Sequence, residues 1–174
     1  TQSVLPWLLA AKSEHPLYAA AQKALQGFDG QMSADAAAPL IFNAWARQMT
    51  RAVFIDELGG AAVYDKVVPG RSFRDAIDAM IAGNNTWWCD DKGTPATETC
   101  EAQAGVALTR ALDELQQRFG KDVSKWRWGK AHQARSEHRP FSRVKALAPM
   151  FELRVPTGGD SYTVNVSRVA LQPD

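Results

Sequence analysis

Apolar residues recur at three-to-four spacing over most of the chain and alternate only near its end, so helices are predicted first and extended structure last. Between Val4 and Gln26 the pattern gives two short helices. Leu5, Leu8 and Leu9 share one face, a break falls at His15-Pro16, and Leu17, Tyr18, Ala21, Ala24 and Leu25 share the next. After a turn at Gly27-Phe28-Asp29-Gly30, Ser33 or Asp35 is predicted to cap the longest helix of the first half. Its inner face runs through Ala37, Leu40, Ile41, Ala44, Trp45, Gln48, Met49, Ala52 and Val53, with Pro39 tolerated near the first turn. The pattern loosens from Gly59-Gly60 to Pro69-Gly70. A shorter helix follows, with Ser72 and Asp75 in a capping arrangement, Phe73, Ile77, Met80 and Ile81 inside, and Gly83 as its stop.

The next helix is long. Thr94 is read as its N-cap with Pro95 at the first helical position, Ala104, Ala107/Leu108, Ala111/Leu112, Leu115 and Phe119 as its apolar stripe, and Gly120 as its end. Beyond Gly120 the period drops to two. Trp126, Trp128 and the run Lys130 to His138 read as extended, with His132, Ala134, Ser136 and His138 on one face and Gln133, Arg135 and Glu137 on the other. Phe151 to Val155 and Ser161 to Val169 are the clearest strands, joined into a hairpin by Pro156 to Asp160. A lone hairpin is marginal, so this one reads as the start of a sheet whose other strands lie elsewhere. The fold class is therefore mainly α with a C-terminal β-hairpin. Three segments are expected within one compact domain: 1–83 helical, 84–125 a loop and long helix, 126–174 an extended segment and hairpin.

Composition changes this picture little. With 45% hydrophobic and 22% charged residues among 174, the chain can bury a core and is not a disordered type. A net charge of +1 supplies no basic excess for nucleic acid or a membrane surface. No apolar run approaches the roughly 18–20 residues that span a bilayer. The chain opens on Thr1 and is read as a processed product or a piece of a longer protein, so the lack of a signal peptide says nothing about compartment.

Candidate chemistry concentrates between Asn84 and His138, which hold both cysteines, Trp87, Trp88, Trp126, Trp128 and two of the histidines. Cys89 and Cys100 have no Cys/Cys/His companions at zinc-site spacing; the residues alone leave two buried thiols or a disulfide open. Asp90 and Asp91 lack a third oxygen-rich position and read as a solvated loop rather than a calcium site. On a strand, Glu137 points away from His132 and His138, so the three do not form a local metal site. Capping and turn formation account for Asp29 and Asp35 without pairing them as catalytic carboxylates, and His15 reads as a turn residue beside Pro16. Trp45 and Met49 read as core before acyl-pocket wall. Gly158-Gly159 precedes no helix and is not a phosphate loop. No cofactor is expected.

Four separated motifs carry a resemblance. They are Gly27-Phe28-Asp29-Gly30-Gln31-Met32-Ser33-Ala34-Asp35-Ala36-Ala37-Ala38; Asn84-Asn85-Thr86-Trp87-Trp88-Cys89-Asp90-Asp91 with Cys100 ahead of the long helix; Trp126-Arg127-Trp128-Gly129 with His132; and Gly158-Gly159-Asp160-Ser161-Tyr162-Thr163-Val164-Asn165. In this order they resemble the late part of the β chain of the penicillin acylase family, N-terminal nucleophile amidohydrolases that include acyl-homoserine-lactone acylases. The resemblance implies a fragment of an αββα fold. It also implies a serine nucleophile freed by autoproteolysis, activated by its own α-amino group, with an oxyanion hole of backbone N–H and asparagine. Those residues lie upstream of the matched portion, and no motif here corresponds to them, so no catalytic, cofactor-binding or metal residue is assigned. Thr1 leads into an amphipathic helix, whereas a nucleophile of this class opens a strand.

Enzymes of the resembled family are commonly exported. With the short, polar, tryptophan-flanked loop, this favours a Cys89–Cys100 disulfide and a periplasmic or extracellular location. The expected role is the C-terminal structural and pocket portion of an amidase that hydrolyses an acylated amine of β-lactam or acyl-homoserine-lactone type, inactive alone. Its partners would be the upstream α chain, the nucleophile-bearing part of the β chain and a small acyl amide, with no nucleic acid and no membrane. The alternative is a non-enzymatic helical interaction module with a disulfide-stapled loop, binding through Trp87 and Trp88. An apolar patch along Phe151 to Val169 separates the two, since only a piece of a larger core would expose one.

Overall fold

The computed structural model describes residues 3–68, 74–160 and 163. It is mainly helical with a two-stranded antiparallel sheet towards the C-terminus, and it divides into two compact units. The first comprises Thr1–Gly30 and Ile41–Ser124, the second Gln31–Leu40 and Lys125–Asp174.

The first unit is built from α1 (Leu5–Ala10), α2 (Tyr18–Leu25), most of α3 (Ala38–Phe54), α4 (Ala61–Val67), α5 (Arg74–Ala82) and α6 (Cys100–Phe119). Its core is the predicted apolar stripe of α6 (Ala104, Ala107, Leu108, Ala111, Leu112, Leu115) with Ile41, Phe42, Trp45, Met49 and Val53 of α3, all buried. The indole of Trp45 donates to the carbonyl of Ala104 at 3.1 Å, so the largest buried side chain of α3 is also hydrogen-bonded. Gly105 lets the backbone after α1 come close: a Cβ there would sit 2.5 Å from the carbonyl oxygen of Lys12.

Several boundaries differ from expectation. α6 starts at Cys100 and is capped by Thr99, whose hydroxyl accepts the Ala102 N–H at 3.2 Å. Thr94 instead donates to Glu98 at 2.6 Å inside the preceding loop, which keeps 94–98 out of the helix. Ser33 and Asp35 do not cap α3. Ala36 N–H returns to Ser33 O in a turn, and the helix begins at Ala38 with Pro39 in its first turn. α5 ends at Ala82, but the left-handed residue that closes it is Asn84 (φ 48°) rather than Gly83. Asn84 N–H bonds Ile81 O at 3.1 Å and Asn85 N–H bonds Met80 O at 3.0 Å, a Schellman closure. Gly120 (φ 82°) closes α6 as read. The Ser72 cap lies outside the described residues.

In the second unit, β1 (Gln133–Ser136) pairs antiparallel with β2 (Leu153–Pro156), with Ala134 opposite Val155 and Arg135 opposite Arg154. The extended reading of 130–138 thus holds at 133–136, whereas Trp128–Ala131 forms a single helical turn, α7. The described partner of β2 is β1; of the expected Ser161–Val169 strand only Thr163 is among the described residues, and it lies in a bend bonded to Asp160. Another turn, α8 (Ala148–Phe151), precedes β2. No described helix is long and apolar enough to cross a membrane.

Candidate functional site

The Asn84–Asp91 motif and the loop to Cys100 form one built structure in the first unit. Cys89 and Cys100, both buried, are bonded, with Cα atoms 5.0 Å apart across a sequence separation of 11. Inside the loop, Glu98 accepts from the Thr94 hydroxyl at 2.6 Å and from Asp91 N–H at 2.9 Å, while Asp90 accepts from Glu98 N–H at 3.2 Å. The Thr94 hydroxyl, and after it the Asp91 N–H, hold the Glu98 carboxyl below the ordinary carboxylate range. The acids of this loop serve its backbone.

Beside the disulfide, Trp88 packs edge-on against Phe54 at 5.5 Å and against Trp87 at 5.0 Å. Trp87 stays 54% exposed, with the Lys92 ammonium 4.4 Å from its ring centroid and in turn paired to Glu57.

Parts of the other three motifs, 31–36, 128–132 and 157–159, meet within the second unit. Trp128 N–H bonds Ala36 O at 2.9 Å, Gly129 N–H bonds Ala34 O at 2.8 Å, and Gly159 N–H bonds Met32 O at 2.8 Å. The Trp128 indole donates to Gly159 O at 2.9 Å. His132 stacks on Trp128 with centroids 4.9 Å apart and rings 14° from parallel. Its Nδ1 lies 2.8 Å from the Thr157 carbonyl, which can only accept, so Nδ1 carries the proton. Trp126, Trp128 and His132 are essentially fully buried. The Trp-x-Trp-Gly-x-x-His pattern is thus a clamp joining 31–36, 128–132 and 157–159.

The remaining candidates are dispersed. Asp29 and Asp35 are exposed in connecting segments. Trp45 and Met49 lie in the core beside a cavity of about 10 Å³, room for at most one water and not for an acyl chain. His15 accepts the Leu17 N–H on Nδ1 at 3.0 Å and faces Asp113 with Nε2 at 3.2 Å, a bond that joins its turn to α6. His138 is exposed and stacks on Phe141, and Glu137 pairs with Arg135 at 3.4 Å. Among the described residues no cluster of three or more His, Cys, Asp or Glu could hold a metal ion. Thr1 lies outside the described residues.

Sequence reasoning missed one arrangement. Glu152, its side chain 3% exposed, accepts from Arg135 Nε at 2.7 Å and from its Nη2 at 2.8 Å, and pairs with Arg154. Its signal was the alternation of opposite charges two apart, Arg135/Glu137 and Glu152/Arg154.

A family model described as penicillin amidase matches residues 1–173. The chain is 27% identical over 148 residues to the acyl-homoserine lactone acylase QuiP of Pseudomonas syringae pv. syringae, covering 82% of this chain and 18% of that protein. For the protein of the same name from Pseudomonas aeruginosa the identity is 27% over 159 residues, covering 82% and 19%. For that from Pseudomonas putida it is 30% over 115 residues, covering 64% and 14%. The chain therefore spans less than a fifth of the length of these relatives.

Proposed function

Because the chain belongs to the penicillin amidase family, we propose that its parent protein is an N-terminal nucleophile amidohydrolase and that this chain is its C-terminal structural portion. The substrate would be the amide between an acyl chain and an amine-bearing head group, an acyl-homoserine lactone or a β-lactam. The observation that carries this reading is the match over residues 1–173, supported by relatives named acyl-homoserine lactone acylase that align with 82% of the chain.

In such a reaction the nucleophile adds to the amide carbon, the amine leaves with a proton, and water then releases the acid from the acyl-enzyme. The motif residues of this chain are occupied differently. Trp128, Gly129 and His132 clamp three segments together, and Cys89 and Cys100 close a loop. The chain is accordingly a scaffold, inactive alone, whose partner is the rest of the parent polypeptide. The bonded cysteines support an oxidising compartment, periplasmic or extracellular.

The test is to incubate the full parent polypeptide, and separately this chain, with an acyl-homoserine lactone and with a penicillin, and to follow the released amine by mass spectrometry. Release by the parent and none by the chain is expected. Turnover by the chain alone, or no amide cleavage by the parent on either substrate class, would sink the reading. One observation favours the other reading, a non-enzymatic interaction module: the exposed Trp87 ring under Lys92.

A further inference from the structure

Side chains alternate across a strand, so the β1–β2 register sorts them onto two faces. On one face Arg135 and Arg154 stand directly opposite each other, an arrangement that would repel. The buried Glu152 carboxylate between them offsets that repulsion and is bonded to both. This face is electrostatically complete.

The other face carries the pairs Ala134/Val155 and Ser136/Leu153 and no charge. Here Leu153 is 63% and Val155 45% exposed, and all four residues of β2 are exposed. The segment between the strands also exposes Phe141, Val144, Met150 and Phe151, so most of the strongly exposed large apolar side chains among the described residues fall within 141–155. Two strands with an apolar face in water are marginal, and a patch of this kind marks a contact surface.

We infer that the uncharged face of the β1–β2 sheet, with Leu153 and Val155 at its centre, is the seat of an apolar surface of the parent polypeptide outside these 174 residues. The inference rests on the reading of the chain as part of a larger amidase. Its relatives extend far beyond the match, which takes in 18–19% of their length. They thus supply a tethered occupant at high effective concentration. A charged occupant is disfavoured, because the face offers no opposite charge and only the Ser136 hydroxyl as a polar partner.

The experiment uses the full parent polypeptide. Carbene labelling of the peptide containing 153–155 is compared between the native and urea-unfolded protein, and a benzophenone amino acid at position 153 is photo-crosslinked in a mixture of light and isotope-labelled protein. Labelling about five-fold lower in the native state, as for a desolvated contact, is expected, with cross-links to peptides outside this chain in the same molecule. Native labelling within about two-fold of the unfolded value would overturn the inference, as would light-to-heavy cross-links showing that a second copy covers the face. Amide hydrolysis measured on the same sample separates the two claims. A protected face without hydrolysis sinks the amidase reading alone, and hydrolysis with an open face sinks the docking face alone.

Discussion

Gly129 donates its N–H to the carbonyl of Ala34 at 2.8 Å, and a Cβ on Gly129 would lie 3.1 Å from the Cβ of Ala34. The same Cβ would lie 2.8 Å from the Cβ of Pro156. Neither neighbour has a flexible side chain to swing aside, so relief would require a shift of backbone at the clamp.

Gly129→Ala is therefore expected to destabilise the protein by about 1–3 kcal/mol, the usual cost of overpacking, outweighing the roughly 1 kcal/mol that alanine gains over glycine in a helical turn. Urea unfolding followed by tryptophan fluorescence reports it as a lower midpoint. An unchanged or higher midpoint would show that the 34/129/156 contact yields without strain.

The Cys89–Cys100 bond closes a short loop, and constraining the unfolded chain over that separation contributes about 3 kcal/mol in the loop-entropy account. Replacing both cysteines with serine, or adding reductant, is expected to lower the melting temperature by several degrees. Two thiols trapped by alkylation of unreduced protein from its native compartment would contradict the bond there and remove the support for an exported location.

Glu152 should give the second unit an acid-sensitive component. The Arg135 guanidinium holds its carboxyl below the ordinary carboxylate range; burial opposes this, and the bond from Arg154 adds to it. Since the folded value lies below the unfolded one, the pairing stabilises fully above the unfolded value and fades as pH falls through the folded one. The difference in unfolding free energy between the parent sequence and Glu152→Gln should be constant above about pH 5 and shrink on acidification. A difference that stays flat into strong acid would show that the ion pairs contribute nothing in solution.

How much of this was legible follows from the range of the interactions involved. The stripe of α6 and its stop at Gly120 are local properties, and both appear as read except at Phe119, which is only half-buried. The start of α6 was read at Thr94, whereas the helix is capped by Thr99. Glu98 binds Thr94 and Asp91 inside the loop, contacts that helix-cap patterns do not encode. At Trp128 and Gly129 an alternating pattern suggested extension, yet hydrogen bonds to Ala36 and Ala34, some 90 residues upstream, set a helical turn instead. The motifs themselves were visible, while their convergence on one clamp depends on those long-range bonds. The Glu152 network had a readable charge alternation, but which face it occupies required the register of β1 on β2.

Tyr64 offers a test of the opposite sign. Its side chain is buried, with the Arg51 guanidinium 5.1 Å from the ring centroid, and its hydroxyl has no hydrogen-bond partner among the described residues. Burial pushes the phenol up to about 12, against the partial relief from Arg51. A buried hydroxyl without a partner costs about 1–3 kcal/mol, whereas phenylalanine keeps the ring contacts and removes the desolvated group. Tyr64→Phe is therefore expected to be at least as stable as the parent sequence, by up to about 1 kcal/mol. The sign with pH is definite. A folded value raised above the unfolded 10.0 means the phenol's contribution is full below about pH 10 and is lost as pH rises through about 12. The phenylalanine variant has no such loss, so its advantage should widen over that interval in unfolding measurements. A variant that unfolds more easily at neutral pH would reveal a partner for the hydroxyl and refute its isolation.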